Sequence, residues 1–367
     1  MLKNDTEKAV LFLKSIKKKK VAVVSHDDSD GSCSAALMIR LLKKVGTNNQ
    51  ILNFSTRGAP SISDELMKDI LSEKPDVVIT CDFAGGLDKS AHVFDGDGIK
   101  CLMIDHHVVP DYKFPEGCVY LNPQLDGKTM PCSAFIYDLC MRITDFEQNL
   151  WIAAVGTIED FGAAERKDLI EKCMKKYPEL FEKKDIDNRK LFDTTFGLVG
   201  KIIGSAPSWA SYQGAELATK VLLEIDSPRD FLDLKNKDVK TLYEKYEMIN
   251  IDVKKTVKMF DEKSEKDGHI RMLVMSSEFP IKSKVSTIIS AKDEYYKDVI
   301  MVAEENTKSV SISLRNQSGD FDLDSIIRES LSGLEGTGGG HKKAAGTVVS
   351  KKDFDVFMER FKGKVNG

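Results

Sequence analysis

The segment VAVVSHDDSDG, residues 21–31, decides the fold because a short apolar run passes directly into a cluster of acidic side chains. The run itself, residues 21–24, is small or β-branched and bounded by charges, which is typical of a buried parallel strand. Similar runs occur at residues 77–80 and 101–104, with helical spacing at residues 32–44 and 63–71. This alternation predicts an α/β fold with a doubly wound, mostly parallel sheet.

Ligand-type side chains follow each of these runs. In an extended segment alternate side chains share a face, so we expect His26, Asp28 and Asp30, which follow the first run, to point the same way. The carboxyl edge of a parallel sheet is where open α/β folds place their sites. A helical stretch, residues 150–157, leads to a fourth set. The residues concerned are His26, Asp28 and Asp30, then Asp82, then Asp105, His106 and His107, and finally Glu159 and Asp160.

This donor set of carboxylates and imidazoles, without a thiolate, suits Mn²⁺ or Mg²⁺ better than a structural zinc. Packing several carboxylates together is costly unless divalent ions neutralise them. Two such ions can share a bridging carboxylate and activate a water for phosphoryl displacement. Any one motif alone is more often a turn or a helix cap, but four in order favour a site. Asp27 is expected to point away from it, and Glu159 is the alternative to Asp160.

The remainder of the chain predicts a second domain. Residues 1–230 form the first domain, and residues 231–267 are charged, with apolar residues at helical spacing, so they predict a long connecting helix. A surface helix packed on one domain is the alternative. Residues 268–367 predict a smaller α/β domain in which a glycine-rich loop, residues 336–340, precedes His341.

Four ordered segments resemble the motifs of the DHH superfamily of phosphoesterases: HDDSDG at residues 26–31, CD ending at Asp82, DHH at residues 105–107 and GTIED ending at Asp160. The stretch LNPQLDGKTMPCSAFIY, residues 121–137, resembles the segment that follows DHH in that superfamily. GTGGGHKKAAG, residues 336–346, with Arg315 upstream, is similar to the DHH-associated C-terminal domain of RecJ-like nucleases and oligoribonucleases. The archaeal type of RecJ-like exonuclease is the expected subgroup.

The resemblance implies a role for each matching residue. His26 and Asp28 hold one metal, Asp82 bridges, and the other metal is held by Asp30, His106 and Asp160. His107 contacts the scissile phosphate, and Asp105 orients a histidine of the motif. A substrate phosphate is bound from the second domain by Arg315, Gly338, Gly339, Gly340 and His341, through a guanidinium fork and backbone N–H groups.

Composition sets the wider limits. The 367 residues carry a net charge of −4, whereas a dedicated duplex-DNA binder is more often basic. The N-terminus reads as an amphipathic helix rather than a signal peptide, and no apolar run is long enough to span a bilayer. Seven cysteines without a CxxC pair argue against a disulfide framework, so the cytoplasm is the expected location.

The leading prediction is therefore an α/β two-metal enzyme. Its expected activity is that of a single-strand exonuclease of DNA or RNA that uses two Mn²⁺ or Mg²⁺ ions. Its expected role is DNA repair, with a helicase or a replication or repair protein as the candidate partner. The alternatives are a small-nucleotide phosphatase or oligoribonuclease, acting on nano-RNA, a cyclic dinucleotide or pAp, and a replication scaffold without catalysis. The GGGH sequence counts against an inorganic pyrophosphatase. Trp209 and Tyr212 are candidates for stacking on bases, and Trp151 is a weaker one.

Overall fold

A computed structural model describes residues 4–47, 50–108, 111–182 and 185–367. The chain divides into two compact units, Met1–Tyr246 and Glu247–Gly367. None of the helices in the described ranges is both long and apolar enough to cross a bilayer.

The first unit is built on a five-stranded sheet in which every neighbouring pair is parallel. The strand order is β2-β1-β3-β4-β5. This confirms the predicted parallel sheet, and it adds two strands that sequence reasoning had not identified, β2 and β5. The strands are β1 (Val21–Ser25), β2 (Ile51–Ser55), β3 (Val77–Cys81), β4 (Lys100–Ile104) and β5 (Cys118–Leu121).

Both faces of this sheet are covered, because alternate residues of one strand enter different cores. Val21 and Val23 belong to the larger core, whereas Ala22 and Val24 belong to the smaller one. This alternation follows the two-residue side-chain period of a strand, and burial on both faces explains the uniformly apolar run. The helices of the first unit are α1 (Thr6–Ser15), α2 (Ser29–Lys44), α3 (Asp64–Ser72), α4 (Leu87–Gly96), α5 (Cys132–Ile143), α6 (Leu150–Glu159), α7 (Lys167–Lys176), α8 (Asn188–Phe192), α9 (Thr195–Ser205), α10 (Pro207–Glu224) and α11 (Pro228–Leu232).

The observed connecting helix is shorter than the predicted one, which covered residues 231–267. Helix α12 spans Lys237–Lys263, and α11 precedes it as a separate short helix. Leu234 has a φ of 51°, a left-handed conformation that a continuous helix does not allow, so the two helices cannot merge. The two compact units divide within α12, after Tyr246.

The second unit contains a six-stranded mixed sheet of order β10-β11-β9-β8-β7-β6. Only β7 and β8 run parallel among its described pairs. Its core is apolar and includes Met301, Ile312 and Phe357. The elements are β6 (Glu265–Asp267), β7 (Ile270–Met275), α13 (Lys282–Ser290), β8 (Val299–Glu305), β9 (Ser309–Arg315), α14 (Leu323–Ser330), β10 (Gly336–His341), β11 (Ala344–Ser350) and α15 (Phe354–Asn366).

The glycine-rich segment is a strand and not the predicted loop. Strand β10 pairs antiparallel with β11 along its whole length, from Gly336 to His341. Its glycines permit helix α14 to pack closely, since a Cβ on Gly338 would lie 2.7 Å from Cγ2 of Ile327. Glycine is therefore used here for close approach, a requirement that composition alone does not distinguish from flexibility.

Candidate metal centre

Residues from three strand ends and one helix end meet at the carboxyl edge of the parallel sheet. Strand β1 leads to His26, β3 leads to Asp82, and β4 leads to residues 105–107. Helix α6 ends at Glu159, and Asp160 follows it. The predicted site residues of the first domain are thus brought together.

Their ligand-type atoms fall into three overlapping groups, within each of which these atoms lie within 4.8 Å of one another. Asp82 belongs to two of the groups and His106 to two, so the groups are joined into one centre. The groups are His26 with Asp28 and Asp82; Asp30 with His106 and Asp160; and Asp82 with His106 and His107.

Several carboxylate and imidazole side chains within the centre are close neighbours. Nδ1 of His26 lies 2.8 Å from Oδ2 of Asp28, and Nε2 of His106 lies 3.1 Å from Oδ1 of Asp82. On its other side, Nδ1 of His106 lies 3.7 Å from Oδ2 of Asp160. His106 therefore lies between two carboxylates, an arrangement suited to a shared cation.

The first motif does not form the extended segment that the sequence predicted. Asp28 is the N-cap of α2 and accepts a hydrogen bond of 2.9 Å from the N–H of Gly31, while Asp30 lies in the first helical turn. Gly31 is required there, because a Cβ would lie 2.2 Å from the carbonyl oxygen of His26. The three ligand candidates converge through a strand-to-helix turn, so the expectation of a two-residue period was wrong.

Asp30 is buried and held at the start of α5. Its Oδ2 accepts from the N–H of Cys132 at 2.7 Å, and its Oδ1 accepts from the N–H of Ser133 at 3.1 Å. The N-terminus of a helix stabilises negative charge, so this contact fixes the carboxylate in position. Sequence reasoning missed both donors.

Asp82 is also buried, and its backbone adopts a φ of 69°. A positive φ is uncommon for a residue other than glycine, and such conformations concentrate at functional sites. The conformation turns the chain directly after β3, where the carboxylate enters two of the ligand groups.

His107 is held by a buried pair, Asp105 and Asn122. Nδ1 of His107 lies 2.7 Å from Oδ1 of Asp105, and Asn122 donates to the carbonyl of His107 at 2.9 Å and to Asp105 at 3.4 Å. The side chain of His107 itself is half-exposed. Asn122 was not singled out from the sequence, although it lies in the LNPQ segment used for the resemblance.

Burial is the main cause of the altered acidities. It raises the pKa of Asp82 well above the usual value, with a further contribution from the charges of Asp30 and Asp28. Burial, followed by the same two carboxylates, raises the pKa of Asp160 to about 8. Carboxylates that are this crowded hold protons unless cations replace them. The donor set therefore fits divalent ions.

The pKa values of the three histidines of the centre shift in different directions. Burial lowers the pKa of His106 despite its acidic neighbours. For His107, the contact with Asp105 is the largest effect and raises the pKa. For His26, burial acts to lower the pKa, but contact with Asp28 and the charges of nearby carboxylates outweigh it, so the net shift is upward. The neutral form of His106 suits a metal ligand, and the cationic form of His107 suits a phosphate.

A pocket of about 180 Å³ adjoins the centre, and Glu159, the sequence alternative to Asp160, lies in its lining. Glu159 lines it beside Ser29, whose hydroxyl donates to Glu159 at 3.4 Å, and Glu159 is in none of the three ligand groups. Asp27 is buried rather than solvated, with Oδ1 3.7 Å from Nε2 of His26.

In the second unit the predicted phosphate-binding residues share one end of the sheet. Arg315 of β9 pairs with Ala344 of β11, which pairs in turn with His341 of β10. The guanidinium of Arg315 donates to the hydroxyls of Ser283 at 2.8 Å and Thr287 at 3.2 Å, and burial lowers its pKa.

The three predicted glycines are consecutive residues of β10, and two of them lie close to the carboxylate of Asp324. The N–H of Gly340 donates to Oδ1 of Asp324 at 2.8 Å, so this amide already has an acceptor. Gly338 and Gly339 pair with Thr347 and Gly346 of β11. The predicted role of their N–H groups in phosphate binding is not tested by this arrangement.

The aromatic candidates differ in exposure. Trp151 is fully buried in the larger core, which rules out stacking on a base. Trp209 is partly buried, with Nζ of Lys245 5.5 Å from its ring centroid, and the ring of Tyr212 lies 4.7 Å from the guanidinium carbon of Arg57.

Comparisons with known proteins agree with this arrangement. The model of the DHH family, N-terminal domain, matches residues 20–157, and that of the DHHA1 domain matches residues 269–367. Among curated proteins, none matches this sequence.

Three solved structures share the fold. RecJ from Thermus thermophilus in complex with Mn²⁺ has a TM-score of 0.75 at 17% identity, covering 98% of this chain and 54% of the RecJ chain. An exonuclease RecJ bound to manganese has a TM-score of 0.74 at 16% identity, covering 100% of this chain and 95% of that one. A pGpG-specific phosphodiesterase, PggH from Vibrio cholerae, has a TM-score of 0.53 at 12% identity, covering 95% of this chain and 100% of that one.

The chain spans about half the length of the Thermus protein and nearly all of the second RecJ structure. The two family matches, the parallel sheet and the acidic centre at its carboxyl edge all agree. The chain therefore belongs to the DHH superfamily of phosphoesterases, with an N-terminal DHH domain, a C-terminal DHHA1 domain and a RecJ-like fold.

Proposed function

We propose that this protein is a metal-dependent phosphodiesterase, specifically a RecJ-like exonuclease that cuts single-stranded DNA or RNA. The observation that carries the proposal is the joined set of ligand groups, in which Asp82 and His106 are each shared between two groups. A centre with shared ligands suits two neighbouring ions better than one. The likeness to RecJ structures supports the nuclease assignment.

The ions we propose are two Mn²⁺ or Mg²⁺. His26 and Asp28 would hold one, with Asp82 between the sites, and the second would be held by Asp30, His106 and Asp160. When bound, such a pair lowers the pKa of a bound water and stabilises the charge that develops on the phosphoryl oxygens. Carboxylate and neutral imidazole ligands are the donors that these ions accept in proteins.

The remaining chemistry falls to His107 and Asp105. Asp105 is fully buried and raises the pKa of the half-exposed His107, which makes the imidazolium form more accessible than in a free histidine. A cation there binds the scissile phosphate and donates a proton to the leaving oxygen. Asp105 maintains the ring orientation by its 2.7 Å contact with Nδ1.

In the second unit, Arg315 and the segment Gly338, Gly339, Gly340 and His341 would bind a phosphate of the strand. In support of this role, the hydroxyls of Ser283 and Thr287 accept hydrogen bonds from the Arg315 guanidinium and limit its movement at the end of β9. A fixed guanidinium fork binds phosphate with less loss of side-chain entropy than a mobile one.

The biological setting that we propose is DNA repair or replication in the cytoplasm, together with a helicase or another replication or repair protein. The absence of disulfides supports an intracellular location, since all seven cysteines are unpaired and buried. The archaeal type of RecJ-like protein stays our preferred subgroup.

The decisive experiment offers the purified protein end-labelled single-stranded DNA, single-stranded RNA and a dinucleotide, each with Mn²⁺, Mg²⁺ or chelator. Metal-dependent shortening of the long strands, lost in Asp82→Ala, would support the exonuclease. Asp97→Ala is the matched control, because Asp97 is exposed at the end of α4. The labelled end reveals the direction of digestion.

A small-nucleotide phosphodiesterase is the second candidate, and the likeness to PggH favours keeping it. It predicts that the dinucleotide is cut while long strands are not. A folded, metal-loaded protein that cuts nothing would instead support the scaffold.

A further inference from the structure

The residue directly after Asp160 has an unusual combination of conformation and exposure. Helix α6 ends in a paired-bond cap: the N–H of Gly162 donates to the carbonyl of Thr157 at 2.9 Å, and the N–H of Phe161 donates to that of Ile158 at 3.1 Å. In this cap the residue at the Phe161 position is left-handed and is most often glycine. Phe161 has a φ of 60°.

The glycine that usually fills such a position is instead one residue later. Gly162 is needed for close packing, because a Cβ there would lie 2.2 Å from Cγ of Pro131. Phenylalanine at position 161 therefore adopts a strained backbone that glycine would adopt without strain. A strained bulky residue beside a site indicates that its side chain has a use.

Burial does not account for this side chain. Phe161 is 54% exposed, and its described ring contact is with Phe192 of α8, at 5.1 Å between centroids and an interplanar angle of 53°. Phe192 holds the ring from one side while half of Phe161 stays in contact with solvent. A large aromatic ring that is fixed but open is suited to stack against a flat ligand.

The surroundings indicate which flat ligand. Phe161 directly follows Asp160, so its backbone lies about 3.8 Å from a residue of the metal centre. Glu159 and Asp160 precede it, and the charge of Glu165 also acts on Asp160. The charges of Glu159 and Glu165, which belong to none of the ligand groups, disfavour a further phosphate at the ring itself, whereas a nucleobase is uncharged and presents a π-face.

We propose that Phe161 is a stacking surface for the nucleobase adjacent to the scissile phosphate, a substrate contact that rests on the proposed phosphodiesterase function. The base lies on the exposed face of the ring, and the metal centre acts on the phosphate one step along the strand. Stacking of this kind tolerates any base, because every base has a π-face.

Phe161→Gly separates this role from a structural one. The substitution relieves the positive-φ strain, so the melting temperature should be unchanged or higher. Cleavage of an oligonucleotide by the Mn²⁺-loaded protein should show KM raised on the order of tenfold, since removing one stacking contact weakens binding by about that factor or more. Phe161→Trp should restore KM to near the wild-type value.

Two controls make the test specific. Lys74 also has a positive φ, and it is an exposed residue that follows α3 and precedes β3, at the amino edge of the sheet. Lys74→Gly relieves this backbone strain away from the metal centre and should leave KM unchanged. An otherwise identical oligonucleotide with an abasic sugar at the terminal position should be cut with the same KM by wild type and Phe161→Gly.

The outcomes distinguish the two proposals. Equal KM values for wild type and Phe161→Gly on the complete oligonucleotide would overturn stacking while leaving the phosphodiesterase intact. A lower melting temperature in Phe161→Gly with equal losses on both substrates would also overturn it, in favour of packing or of a protein-binding surface. If wild type cuts no phosphodiester, both proposals fail together.

Discussion

The two units present their candidate site residues in different ways. In the first unit, charged side chains are delivered by strand ends, and several of them are buried, including Asp30, Asp82 and Asp105. In the second unit, one partly buried guanidinium and a glycine strand are aligned by sheet register. The first arrangement suits chemistry on a phosphate, because fixed buried charges act strongly. The second suits binding, because it offers a guanidinium and backbone groups.

The sharpest test of this contrast is Asp82→Asn. We expect kcat to fall by about 100- to 1,000-fold, the usual effect of removing one group that stabilises a transition state. KM should change little, since Asn preserves the shape of the side chain. Steady-state kinetics with Mn²⁺ would check this, and a changed KM with normal kcat would contradict the division of roles.

Arg315→Ala should produce the opposite pattern. Losing a charged hydrogen-bond donor weakens binding by about 1.5–3 kcal/mol, so KM should rise by about 10- to 150-fold with kcat largely retained. Arg315→Lys is the matched variant and should recover only part of the affinity, because lysine lacks the planar fork. Binding of an oligonucleotide with Ca²⁺ in place of Mn²⁺ would measure this without turnover.

The acidic centre should also make metal stabilisation depend on pH. Burial and neighbouring carboxylates raise the pKa of Asp160 from 3.8 to about 8 in the folded, metal-free protein. The folded state then binds a proton that the unfolded state releases, so the metal-free protein loses stability as pH rises from about 4 to about 8. Bound cations remove this effect.

We therefore expect Mn²⁺ to raise the melting temperature more at pH 8 than at pH 5, relative to chelator. Asp160→Asn should flatten the pH dependence of the metal-free protein. An equal increase at both pH values in the wild type would argue that the centre does not bind ions through these carboxylates.

The smallest effect is expected from Asn122, whose described side-chain hydrogen bonds reach the backbone of His107 and the carboxylate of Asp105 but none of the ligand atoms of the three groups. Asn122→Ala removes a donor to His107 and Asp105, and changes in such supporting residues cost about 10- to 100-fold in activity or metal affinity. We expect a loss near the lower end in kcat, with a shifted pH profile. Asn4→Ala is the control, since Asn4 contacts only the backbone of Asn122 among its described hydrogen bonds.

The elements that could be predicted from the sequence are those whose burial leaves a local pattern. Strands β1, β3 and β4 were predicted because burial on both faces makes them continuously apolar. Asp82 and His106 were chosen as candidate ligands because they lie one and two residues after the ends of β3 and β4. Strand β2 is only partly buried, with Asn53 in its middle, so its pattern is weaker.

What could not be predicted depends on contacts distant in sequence or on backbone alone. The donors to Asp30 are 102 and 103 residues away, and no local pattern indicates that pairing. Gly338 lies in strand β10, where glycine permits the close approach of helix α14. The sequence does not show that contact, so the glycine-rich composition suggested a loop. The start of the connecting helix was misplaced because the left-handed backbone of Leu234 separates α11 from α12 without a proline or glycine to signal the break.

The hydrogen bonds from Cys132 and Ser133 to Asp30 have a consequence for the order of events during synthesis. Parallel strands cannot pair as local hairpins, so such sheets form through slow, long-range closure. A nascent chain that has reached only β3 carries His26, Asp28 and Asp82 but not the helix start that anchors Asp30. A ribosome-bound fragment that ends before residue 132 therefore lacks the anchor of Asp30, and one that ends before residue 160 also lacks Asp160, so neither presents the complete set of candidate ligands.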